Sequence, residues 1–248
     1  MPLLSILTAA IGERPGLIAE TGKSLADQEL PDGWELEWVV QEDGPDPSLA
    51  PVIERFPFAR YAAHGERLGI AMTRNLGLTR VGGELVQGVD CDDLILPGGL
   101  AIAVEAFRAY PRIHWVSAQA DDLLPDGTRV VFEPYLRPGI VEPGVVGAFV
   151  EERDLVPIAC PGLMMRTATM RALGGWAANP RWDDTALFVA LAELAPGYVT
   201  PEVTWLYRQH TGQTSRQSSW PALRAELWVA VRQRISALRE VGLRVATP

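Results

Sequence analysis

Three aspartates within four residues, Asp90, Asp92 and Asp93, close the stretch GIAMTRNLGLTRVGGELVQGVDCDD that runs from Gly69 to Asp93. Carboxylates packed this tightly repel one another unless a cation neutralises them, and oxygen ligands suit a hard ion such as Mg²⁺ or Mn²⁺. Such an ion carries phosphate oxygens well, so the cluster reads as a holder of metal and diphosphate. Asp93 has a second reading, as the cap of a helix that starts near Pro97. Two further acidic groups lie far off in sequence: the turn Glu42-Asp43-Gly44-Pro45-Asp46, and the pair Asp183-Asp184. That pair opens an apolar run, where acids also answer a helix dipole, so capping and catalysis both fit it.

These side chains need a scaffold that aims them at one place. Leu85, Val86, Gly88 and Val89 form an apolar run of buried-strand length behind the Gly82-Gly83 turn, which puts the triple-acid cluster at a strand's C-terminal end. Leu3 to Thr8 and Trp34 to Gln41 read as strands, and Ala59 to His64 as a short third. Helices fall between them, one reaching about Gln28, one at Pro51 to Phe56 and one at Met72 to Thr79. This alternation predicts an α/β fold with a mostly parallel sheet and right-handed crossovers. Ligands bind outside the C-terminal ends of such strands, so Thr8, Asp43 and the Asp90 to Asp93 cluster are expected to share one crevice. Further on come a helix at Gly98 to Tyr110, a strand at Ile113 to Ala120 and a hairpin arm at Arg129 to Glu133. Pro134 to Gly144 reads as an irregular loop bordering the site. Val156 to Met165 is expected as a strand, Ala168 to Leu173 and Thr185 to Leu194 as helices, and Tyr198 to Arg208 as the last strand. After a polar loop from His210 to Ser219, Trp220 to Val241 is an amphipathic helix striped by Leu223, Leu227, Val231, Ile235 and Leu238, expected to pack on the body or on a second subunit.

At 248 residues and 48% hydrophobic content the chain can bury a proper core. A net charge of −9 with no basic stripe argues against nucleic acid as a partner. Lys23 is the single lysine, and arginine-rich, Ala-, Gly- and Pro-rich composition suits a high-GC bacterial genome. Two cysteines, Cys91 and Cys160, are too few for a disulfide framework and suit a reducing cytoplasm. The apolar run at Leu3 to Ile11 has no basic flank and is too short to span a bilayer, so neither a signal peptide nor a transmembrane helix is expected.

Taken in order, SILTAAIG, SLADQ, VVQEDGPD, GIAMTRNLGL, GGELVQGVDCDD, GGW, WDDTAL and YRQHTGQTS resemble the inverting, nucleotide-sugar-dependent glycosyltransferases of the GT-A fold, family two, from about Leu3 to Ser215. The resemblance implies a GT-A-like α/β domain over residues 1–215, a mostly parallel mixed sheet flanked by helices, and a C-terminal helical extension over 216–248. It implies a nucleoside-diphosphate sugar as donor, an acceptor hydroxyl, and Mg²⁺ or Mn²⁺. In that likeness Asp43 reads the donor base, with Thr8 and Arg74 near the nucleotide. Asp90 and Asp92 serve ribose and metal, and Arg208 and His210 stand by the diphosphate, His210 also toward the metal. Asp184, with Asp183 beside it, is the general base. The first strand ends in Thr8-Ala9-Ala10-Ile11 rather than the family's usual Pro-Thr-Tyr-Asn, so the base preference of relatives does not carry over. Two other readings stand beside this one: a catalytically silent nucleotide-sugar binder or scaffold working through its C-terminal helix, and a sugar-phosphate nucleotidyltransferase. The second needs a Gly-rich loop bearing Arg and Lys near the N-terminus, where this chain has only IGERPG.

Overall fold

The computed structural model describes residues 1–179, 182–213, 216 and 224–246. Among the described residues ten strands form one mixed sheet: β1 Leu3–Ile11, β2 Glu35–Asp43, β3 Ala59–Ala63, β4 Leu85–Gly88, β5 Leu94–Ile95, β6 Trp115–Leu123, β7 Arg129–Val131, β8 Gly139–Val141, β9 Leu163–Arg166 and β10 Gly197–Arg208. The helices are α1 Pro15–Ala26, α2 Ala50–Ile53, α3 Ile70–Leu78, α4 Gly99–Ala109, α5 Val145–Arg153, α6 Thr167–Ala172, α7 Asp183–Leu194 and α8 Arg224–Val241. The order across the sheet is β3-β2-β1-β4-β9-β6-β10-β5, with β7 beside β6 and β8 beside β10. β3, β2, β1 and β4 are mutually parallel, β9 runs against both β4 and β6, and β6 and β10 are parallel again. The reversal at β9 leaves β1, β2, β4, β6 and β10 pointing the same way, so their C-terminal ends share one rim.

The two faces are divided by the period of two in each strand. Leu4 and Ile6 of β1, with Trp38 and Val40 of β2, pack under α1, α2 and α4. Leu7 and Val39 face the opposite layer, built on α3, α5, α6, α7 and α8. In that layer α7 is buried on nearly every side, from Thr185 to Leu194. A helix so enclosed holds its N-terminus rigidly at the rim.

Two departures from the expected elements stand out, and proline decides the first. Only Leu163–Arg166 of the Val156 to Met165 run is strand, since Pro157 and Pro161 cannot donate to a ladder and the chain makes a single 3₁₀ turn at Cys160–Gly162. The expected irregular loop yields the short strand β8, and α5 follows it unannounced by any clear 3.6-residue apolar period.

The apolar stripe of α8 is spent within the chain: Trp228, Val231 and Ile235 are buried in the α7 layer. Leu223 lies outside the described residues. Arg239 fixes the register by donating two hydrogen bonds to Glu193 of α7, at 3.0 and 3.0 Å, and a third to Glu151 at 2.8 Å. Glu193 is only 2% exposed. Removing its cation strands a buried carboxylate, so Arg239→Ala is expected to lower stability by about 3 kcal/mol in urea unfolding, whereas Arg232→Ala on the exposed side of the helix costs less than about 1 kcal/mol.

Candidate active site

A cleft of about 1030 Å³ opens along the shared rim. The ends of β1, β2 and β4 and the start of α3 line one half; β6, the segments after β7 and α5, the start of α7 and Trp228 of α8 line the other. Asp43, Asp90, Asp92, Asp183 and Asp184 all reach it, so three separate segments deliver carboxylates to one cavity.

Asp43 sits at the end of β2 on the α3 side. Its Oδ1 accepts from the Leu68 amide at 2.7 Å and faces His64 Nε2 at 3.1 Å, and its Oδ2 accepts from the Gly69 amide at 3.1 Å. Gly69 takes φ +85°, a conformation costly for any side chain, which lets the loop turn its amide onto the carboxylate before α3 begins. Gln41 fixes the histidine's tautomer. Its Oε1 accepts from Arg80 at 3.0 Å, so its Nε2 must be the donor toward His64 Nδ1 at 3.2 Å, and the ring proton is left on Nε2 facing Asp43. By lone-pair count Asp43 keeps room on Oδ2 for one more donor from the cleft.

Arg74 is the hub. It occupies an inward position of α3 between Ala71 and Leu78, where a cation must be paired. It donates to Asp90 Oδ1 at 2.6 Å and to Asp183 Oδ2 at 3.0 Å, and its guanidinium lies 5.6 Å from the Trp176 ring centroid. One arginine thereby ties the end of β4 to the start of α7.

Asp184 lies next to this bridge. Its Oδ1 accepts from the Thr185 amide at 2.7 Å, and Val156, Ile158 and Phe188 form an apolar notch beside it. Burial first, then the nearby Asp183 charge, push the Asp184 carboxyl up to about 6, a range in which it can take and release a proton. Trp182, the residue before the pair, is held at φ +53°, a sparsely populated conformation for a bulky side chain. Its backbone carbonyl accepts from the Ala186 amide at 3.1 Å and starts the helix, so the acids sit in the first turn while also facing the cleft.

Asp92 Oδ2 lies 2.9 Å from His210 Nε2 and 3.1 Å from Arg14 Nη1. Two donors, one carboxylate and one imidazole, thus meet at a point a divalent cation could occupy. A small hard ion is commonly held by one or two protein ligands with substrate phosphates and water completing the shell, and this pair fits that arrangement. Among the described residues no group of three or more His, Cys, Asp or Glu side chains gathers to hold a metal. Asp90, expected beside Asp92 at the metal, lines the same cleft with its Oδ1 on Arg74.

Three other residues lie away from the places expected of them. Thr8 shares the strand face of Leu4 and Ile6, is fully buried, and accepts from Trp38 Nε1 at 2.9 Å, so it belongs to the core and not to the rim. Arg208 does not face the cleft. Its Nε donates to the Asp92 carbonyl at 2.7 Å and its Nη2 to Glu20 at 2.5 Å, which staples the acidic loop to β10 and α1. Asp93 is neither ligand nor helix cap. It is fully buried and accepts from the Arg208 amide at 3.0 Å, and burial holds its carboxyl well above the ordinary range.

Arg14, His64 and Arg67 are site residues that sequence reasoning does not reach. Arg14 follows β1 and donates to Asp92 and to the Gly212 carbonyl, while Arg67 lines the cleft beside Asp43. The available signal is their position, each in a loop that leaves the carboxyl rim of a strand.

Comparison with solved structures defines the class first. S. aureus TarS residues 1–349 in complex with UDP-GlcNAc superposes with a TM-score of 0.72 at 19% identity, covering 96% of this chain and 66% of that one. The complex of the same fragment with UDP gives 0.69 at 19%, covering 96% and 65%. A longer TarS structure gives 0.66 at 19%, covering 84% of this chain and 37% of TarS. The fold is GT-A, and the chain spans well under two thirds of the longer TarS structure. The family model described as glycosyl transferase family 2 matches residues 5–133, and the chain belongs to that family. Among curated proteins none matches the sequence. No described helix is long and apolar enough to cross a membrane.

Proposed function

We propose that this chain moves a sugar from a nucleoside-diphosphate sugar to an acceptor hydroxyl, inverting the anomeric carbon in a single displacement. The observation that carries the reading is Asp184: a carboxyl in the cleft, pushed up to about 6 by burial and the neighbouring Asp183 charge, beside the bridge by which Arg74 ties Asp183 to Asp90 at the end of β4. The donor class is supported by family membership and by solved relatives of the same fold that bind UDP-GlcNAc and UDP.

In this reading Asp43 accepts an N–H from the donor base on the open side of Oδ2, and Asp90, oriented by Arg74, meets the ribose. Asp92 and His210 would hold Mg²⁺ or Mn²⁺, which supplies positive charge for the departing diphosphate when bound. Arg14, aimed at Asp92, adds a fixed cation at the same end of the cleft. Asp184 takes the acceptor's proton from the face opposite the leaving group, and a direct displacement from that face inverts configuration.

The test is donor binding and turnover with and without metal. A UDP-sugar at about one hundred times its dissociation constant should stabilise the protein by about 2.7 kcal/mol with Mn²⁺ present. EDTA or Asp92→Asn should remove most of that thermal shift and the release of UDP with it. Binding that survives without any turnover toward acceptor or water would favour the silent binder instead.

A further inference from the structure

The acceptor half of the cleft is built unlike the donor half. The described arginines that line the cavity, Arg14, Arg67 and Arg74, belong to the β1, β2 and β4 side or to the bridge at its centre. The opposite half carries Glu133, Asp154, Asp183 and Asp184 and no lining cation among the described residues. Asp154 is committed to Arg232 of α8 and Asp183 to Arg74, which leaves Asp184 beside the reaction point to set the local sign. An anionic group placed there would meet the Asp184 carboxylate in a partly enclosed space.

The walls on this side are apolar. Phe132 and Leu136 follow β7, and Leu155, Val156, Pro157 and Ile158 follow α5, with the ring of Trp228 closing the α8 side. Phe132 and Tyr135 are 47% and 50% exposed, so aromatic surface stands open at the mouth. Besides these acids, the polar side chains on this side include Ser117, Gln119, Tyr135 and Thr185. A carbohydrate acceptor carries a hydroxyl on nearly every carbon, and each one desolvated without a partner costs free energy. These walls hold few such partners. A hydroxylated hydrocarbon needs only one polar group, at the reacting oxygen, where Asp184 lies.

We infer that the acceptor is a neutral alcohol or phenol on an apolar skeleton, its body against the Phe132 and Val156–Ile158 side of the cleft and its hydroxyl toward Asp184. This rests on the glycosyltransferase reading above. The transfer balances as a condensation: the acceptor oxygen forms the new bond to the anomeric carbon, the bond from that carbon to the diphosphate oxygen breaks, the nucleoside diphosphate leaves with the electron pair, and Asp184 takes the acceptor's proton.

The experiment uses the full chain with Mn²⁺ and, as donors, UDP-glucose and UDP-N-acetylglucosamine. Three acceptors are offered separately: a hydroxyflavone, cellotriose, and undecaprenyl phosphate in phosphatidylcholine vesicles. Product is followed by mass spectrometry and donor binding by thermal shift. The expected result is transfer to the hydroxyflavone with kcat/KM at least about tenfold above either other acceptor. Phe132→Ala, an exposed substitution that does not threaten folding, should raise the KM for the hydroxyflavone about tenfold, a loss of one aromatic contact, and shift the donor KM less than about twofold. Preference for cellotriose or for the polyprenyl phosphate overturns the inference and leaves the transferase reading intact. So does retained donor binding with no transfer to the hydroxyflavone. Absence of any donor binding overturns the transferase reading itself, and the acceptor assignment falls with it.

Discussion

Asp184→Asn is expected to turn over roughly 10² to 10⁴ times more slowly than the parent, the range lost with a general base, while the donor-induced thermal shift is kept. The same substitution is expected to make the protein more stable. Asp184 ordinarily ionises near 3.8, and in the fold burial and the Asp183 charge push it up to about 6. Between those values the folded chain holds a proton that the unfolded chain has released. Stability from this group is therefore greatest below pH 3.8, falls as pH rises toward 6, and stays at its lower level above that. Asparagine carries no charge to desolvate, so the penalty at pH 7 disappears, a gain of about 1–3 kcal/mol after allowance for the group's partial exposure. Activity follows the opposite slope: kcat/KM should rise through pH 6 as the base ionises and level off above about pH 7. An Asn variant that loses both rate and stability would mean that Asp184 serves the helix start and not the reaction.

Arg74→Met is expected to cost about 3–5 kcal/mol in chemical unfolding and to abolish transfer. Its guanidinium is the cation shared by Asp90 and Asp183, which meet it at 2.6 and 3.0 Å. Arg74 and Asp183 are each only 4% exposed. Methionine fills much of the volume, yet it leaves two carboxylates facing each other in a poorly solvated pocket, the costly outcome when one partner of a buried ionic set is removed. Arg74→Lys should recover little, since one ammonium cannot span two acids as a planar fork does. The double variant Asp183→Asn with Arg74→Met should regain stability without activity, because the repulsion is relieved and the tie between β4 and α7 is still missing. Equal stability of Arg74→Met and the parent would sink the hub assignment.

Much of this molecule is written in local patterns. Apolar runs bounded by glycine and proline mark β1, β2 and β4, and the alternation of strand and helix through α3 puts Asp43 and Asp92 on the carboxyl rim. The acid pair at the start of an apolar helix is equally readable, as is its double meaning: the fold shows Asp184 accepting from the Thr185 amide and facing the cleft at once. Period two also carries the reason Thr8 fails, since it shares a strand face with Leu4 and Ile6.

What no window of sequence contains is pairing across distance. Whether Arg74 meets a nucleotide or two carboxylates depends on the reversal at β9, which brings the start of α7 beside the end of β4. Arg208 staples the acidic loop because β10 ends next to it, 115 and 116 positions away in the chain. Arg14 and His64 become site residues through the same closure of distant loops. Side-chain type and period are short-range properties that the residues carry with them; the partner of a charge is settled by which strands lie adjacent, and that is a property of the packed sheet alone.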